Sequence, residues 1–78
     1  MYTLPISVIN KNGLMEIFEI LSHFPYQMML RNGAYSVDAH SLIGVFSLDI
    51  RQPIELIMEH EPDEEFLEAV SKFTLSRV

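Results

Sequence analysis

The chain has no cysteine, no tryptophan and three glycines, and its five lysines and arginines face eleven aspartates and glutamates. Without cysteine, disulfides and thiolate metal sites are excluded, which agrees with a reducing, cytoplasmic setting. No apolar run approaches the roughly 20 residues needed to span a bilayer. The opening segment Met1 to Ser7 has no basic stretch leading into an apolar one, so neither a secretory leader nor membrane insertion is expected. The scarcity of bases bears on partners. Non-specific nucleic-acid binding draws on lysines and arginines that neutralise phosphates, and five scattered bases under a net charge of −6 form no such patch. Anionic membranes are disfavoured on the same ground.

What is present fits one small unit. The 78 residues suffice for a single core, a chain of this size burying roughly 60% of the surface it exposes when unfolded. No repeat, linker or low-complexity stretch divides residues 1–78, so a single domain is expected.

Tyr2, Leu4, Ile6 and Val8 alternate with polar or small neighbours, the pattern of a strand with one buried face. Pro5 cannot donate a ladder hydrogen bond, so this end of the strand is expected to lie at an edge or to start late. Asn10 to Gly13 reads as a loop. Leu14, Ile17, Phe18 and Leu21 then recur at helical spacing, and this helix is expected to end near His23, before Phe24-Pro25. Tyr26–Arg31 and Ala34–Val37 read as two strands, with Asn32-Gly33 as the centre of a tight type I′ turn between them.

Ser41 then precedes an apolar run, Leu42 to Leu48, expected to be a helix with Ser41 at its N-cap. Gly44 weakens that helix by roughly 1 kcal/mol relative to alanine, so a close approach to a neighbouring strand is expected there. Ile54–Glu59 returns as a strand. The acids from Glu61 to Glu65 open a last helix, whose buried stripe is Phe66, Leu67, Val70 and Phe73. The order is β-α-β-β-α-β-α, which implies an α+β domain: a four-stranded antiparallel sheet with three helices on one face.

Two segments resemble the histidine-containing phosphocarrier protein, HPr, of the sugar phosphotransferase system. Val37 to Leu48 is similar to that family's second-helix region, and Asn10-Lys11-Asn12-Gly13-Leu14 to the loop leading into its phosphorylated histidine. The family typically continues Gly-Leu-His-Ala-Arg-Pro. Matched residue by residue, Met15 replaces the histidine, Ile17 the phosphate-supporting arginine and Phe18 the proline that begins the helix. The resemblance implies an open-faced HPr-like sandwich and, through these replacements, a divergent member without the phosphoryl acceptor. A phosphohistidine relay needs an imidazole nitrogen as nucleophile, and a thioether makes no useful phosphoryl adduct. No catalytic residue is therefore expected.

The remaining candidates follow from chemistry and resemblance together. Ser41 matches the serine that a dedicated kinase phosphorylates in many HPr proteins, and phosphate at an N-cap meets free amides and the positive end of the dipole. The plain alternative is a serine cap worth about 1 kcal/mol. Leu42, Ile43 and Phe46, with Met15, would form a docking patch or homodimer contact if exposed, and ordinary core if buried. His23, His40 and His60 are each explained as solvated or capping residues, although an alternative reading has one of them carrying phosphate. His40, beside Ser41, could also help hold an anion. The acids around His60 match no calcium loop, and the five methionines read as gap fillers or adaptable contacts, so no metal and no cofactor is expected. The expected function is a non-enzymatic, HPr-like interaction protein related to sugar uptake by the phosphotransferase system and regulated at Ser41. Its expected partners are phosphotransferase components or a serine kinase.

Overall fold

The computed structural model describes residues 1–74. Four strands, β1 (Tyr2–Ile6), β2 (Met28–Asn32), β3 (Tyr35–Asp38) and β4 (Ile54–Met58), form one sheet in the order β1-β4-β2-β3, every neighbouring pair antiparallel. Three helices, α1 (Lys11–Ser22), α2 (Leu42–Phe46) and α3 (Glu64–Ala69), alternate with the strands in the expected order, and a 3₁₀ turn (Ser71–Phe73) follows.

One constraint organises the molecule: each strand's alternate side chains must leave water. Ile6, Met28, Leu30, Val37, Ile54, Leu56 and Met58 point inward, and the helices cover them with Leu14, Ile17, Leu21, Val45, Phe66 and Val70. Leu30 and Leu56, opposite one another on the two central strands, are fully buried. Phe66 meets the rings of Phe24 and Tyr26 edge-on, at centroid distances of 5.0 and 5.4 Å. Pro5 lies on β1, an edge strand of the sheet, where its missing amide is harmless.

Four expectations are corrected in detail. The first helix begins at Lys11, not near Leu14, because Asn10 in extended conformation accepts a 3.0 Å bond from the Gly13 amide and caps it. The hairpin turn is centred on Gly33 and Ala34 rather than Asn32 and Gly33, since Asn32 pairs with Tyr35 inside the ladder. Gly33 supplies the positive φ of 68°. Asn32 is used elsewhere: its amide nitrogen donates to the Asp49 and Pro53 carbonyls, and its oxygen accepts from the Asp49 amide at 2.8 Å. That side chain ties the end of β2 to the connection between α2 and β4, where Arg51 also donates to the Asp49 carboxylate. This hydrogen bond holds the Asp49 carboxyl below its ordinary range, so its stabilisation is present above the ordinary carboxylate pKa and is lost as pH falls through the lowered one.

The second helix stops at Phe46 rather than Leu48, with Ser47 as its C-cap. The last helix breaks at Val70 into the 3₁₀ turn, and Leu67, expected in the buried stripe, is half-buried. Its cap is Asp63, whose carboxylate accepts from the Phe66 amide at 3.0 Å, with Glu64 and Glu65 in the first turn.

Gly44 meets its expectation. A methyl group there would lie 3.0 Å from Cβ of Val37 on β3 and 3.2 Å from the Ser41 hydroxyl. Gly44→Ala should therefore destabilise the fold by about 1–2 kcal/mol in urea titration, overpacking outweighing the gain in helix propensity. An increase in stability would show that α2 is free to move off β3.

Candidate functional site

The ends of α1 and α2 lie together. Lys11, the first residue of α1, extends its ammonium to the Phe46 carbonyl at 2.6 Å and toward that of Leu48 at 3.5 Å. It thereby satisfies carbonyls at the end of α2 that have no partner within their own helix, and a cation there also complements the dipole. The sequence reading missed this contact, which spans 35 residues along the chain and leaves no periodic signal.

Asn10 stands at the head of α1, and Met15 lies in its second turn. Met15, matched to the family histidine, thus stands inside the helix and not at its head. At the head itself the Asn10 amide oxygen accepts from Gly13, and the Lys11 ammonium is turned to α2. Ile17, matched to the family arginine, is wholly buried in the core. Phe18, matched to the proline that begins the family helix, is half-buried in the middle of α1.

The three histidines are placed apart from this head. His40 turns its Nε2 to the carbonyls of Leu21 and Phe24, at 3.1 and 3.2 Å. Facing two acceptors, that nitrogen carries the proton and donates, capping the end of α1. The ring therefore serves α1 and does not reach an anion at Ser41. The His23 amide closes the same helix end by donating to the Ile20 carbonyl at 3.1 Å, while its side chain is exposed. His60 is exposed in the turn after β4. Among the described residues no three His, Asp or Glu side chains converge on a metal-sized site, and no helix is long and apolar enough to cross a membrane.

Ser41 caps α2 as expected, its hydroxyl accepting from the Gly44 amide at 3.2 Å, and it is exposed. The Asp38 carboxylate closes the turn before it through the His40 amide at 2.8 Å. The apolar group divides. Ile43 is 84% exposed, Leu42 44% and Met15 37%, whereas Phe46 is half-buried against the core. Lys11 and Met15 are four residues apart on α1 and share a face. The lysine's reach to Phe46 thus places Met15 on the flank of α1 that is turned to α2. Ile9, 88% exposed just before α1, extends the apolar surface around this head and was not singled out in the sequence.

Replacing Lys11 with methionine keeps the aliphatic stem and removes the donor. Lys11→Met should cost about 1 kcal/mol in denaturant titration, the net value of one such bond. No change would mean that water serves the α2 carbonyls equally well.

By structure, the chain is similar to the molecule described as the crystal structure of HPr-C-His from Thermoanaerobacter tengcongensis. The two share 22% identity over 92% of this chain and 89% of that one, with a TM-score of 0.70. No protein-family model and no curated protein sequence matches the chain. The fold is accordingly HPr-like: an open-faced α+β sandwich.

Proposed function

We propose that this protein is a non-catalytic, HPr-like interaction module, docking a protein partner through Leu42 and Ile43, which open α2, and Met15 on α1. The observation that carries this reading is the pairing of two features at one place. The head of α1 holds an amide and a bound lysine where a phosphocarrier needs an open imidazole. On the helix whose end Lys11 holds stands Ile43, 84% exposed, while the other apolar residues of that helix are partly or fully covered. An apolar side chain held out on a short helix contributes little to the core and is suited to burial against another protein.

Ser41 is the proposed control point. A phosphate at that cap would be met by the free amides opening α2, so the helix would persist, while about two negative charges would arrive next to Leu42 and Ile43. Partners that bury this patch would then be repelled, and partners carrying arginine would be recruited. The resemblance to HPr makes phosphotransferase components and a serine kinase the first partners to try, in a cytoplasmic setting.

Phe46 packs against the core, so a charge there would perturb the fold together with the patch. Ile43→Glu is the cleaner probe. Tagged protein should capture a partner from the native cell, Ile43→Glu should lose that capture while its denaturation midpoint stays within about 0.5 kcal/mol of the parent, and Ser41→Asp should change the set captured. Equal capture by the Ile43→Glu protein would remove the patch from the account.

A further inference from the structure

The sheet has a second face, which no helix among the described residues covers. Strand alternation directs Thr3, Met29, Ile57 and Asp38 to it, and the register sets them in one row across all four strands: Thr3 beside Ile57, Ile57 beside Met29, Met29 beside Asp38. The neighbouring row, Pro5-Glu55-Arg31-Ser36, contains an internal ion pair, with Arg31 bonded to Glu55 at 3.1 Å. The one base of these two rows is thus neutralised. At the other end of the sheet lies a cleft of about 540 Å³, its lining including Met29, Ile57 and Met58 together with Asp38, Glu59 and His40. Met1 is 92% and Met29 39% exposed.

We propose that this cleft docks a basic peptide segment of a partner protein, an apolar side chain entering between Met29 and Ile57 while lysine or arginine on each side reaches Asp38 and Glu59. Three features select that occupant. Methionine is unbranched and polarizable, so a floor built of it accommodates apolar anchors of different shape. Asp38 and Glu59 are exposed, and among the described residues neither is in a salt bridge. From strand spacing and rise they lie about 12 Å apart, close to the ~13 Å between residues two before and two after an anchor in an extended chain. Those are the positions whose side chains share the anchor's face. Charge also excludes the alternatives. A second copy laid face to face would set acids against acids in a chain of net charge −6, and nucleic acid or an anionic membrane would be repelled outright.

This face lies on the opposite side of the sheet from α1 and α2, so it stands or falls independently of the Ile43 patch. The test uses a fluorescein-labelled peptide with a leucine flanked two residues away on each side by lysine, titrated by fluorescence anisotropy at low salt. Saturable binding is expected. Met29→Asn, which makes the apolar floor polar without adding charge, should weaken it more than ~10-fold. Asp38→Asn and Glu59→Gln should each weaken it ~2–5-fold, and Ile43→Glu should leave it unchanged. Exchanging Asp38 and Glu59 for lysine should transfer binding to the peptide with glutamate in the flanking positions, a result that partial unfolding cannot produce. Equal binding of a peptide with serine in place of leucine, indifference to Met29→Asn, or sedimentation showing a dimer that Met29→Asn dissociates would each overturn the proposal.

Discussion

Burial of one face of a four-stranded sheet is the constraint from which the rest follows. Leu30 and Leu56 sit at its centre with no exposed surface, and three short helices must be laid over them. Short helices leave many backbone groups without intrahelical partners, and their ends fall near one another on a domain this small. The side chains at those ends are therefore conscripted. Asn10, Ser41 and Asp63 cap the starts, while Lys11 and His40 reach across to close the ends of other helices. Asn10, Lys11, His40 and Ser41 are engaged in holding α1 and α2 in place.

The same geometry decides what the surface offers. At the head of α1 the available atoms are an amide oxygen already accepting a hydrogen bond and an ammonium already donating one. Phosphoryl transfer to nitrogen has no acceptor there. Ile43, Leu42 and Met15 are apolar residues that the helices leave exposed, and Leu42 and Ile43 directly follow the Ser41 cap. The docking and the regulation at Ser41 proposed above would both use this surface without a change of fold.

Much of the architecture was legible because it rests on short-range pattern. Alternation marked the strands, the spacing from Leu14 to Leu21 marked the inner face of α1, and Ser41 before an apolar run marked the cap of α2. Gly44 signalled close packing because nothing local favoured a glycine there. The misreadings came where one signal has two uses. Asn10-Lys11-Asn12-Gly13 has a loop's composition, yet Asn10 makes it a capped first turn. That difference moved the head of the helix five residues away from Met15. Asn32-Gly33 resembles a turn centre, but Asn32 gains more by bonding three backbone groups of the α2–β4 connection, and the turn slips by one residue. The parts of the site that could not be read were the long-range ones: the lysine 35 residues from its acceptor, the histidine ring turned to α1, and the division of an apolar run into exposed and covered members.

The central proposal is that no histidine of this chain accepts a phosphoryl group from the phosphotransferase relay. Its most direct test is incubation of the purified protein with radiolabelled phosphoenolpyruvate and the first enzyme of the phosphotransferase relay, followed by separation under alkaline conditions that preserve phosphohistidine. The account predicts no acid-labile label on the chain, with a genuine phosphocarrier labelled in the same mixture. Stoichiometric label mapped to His23, His40 or His60 would contradict it.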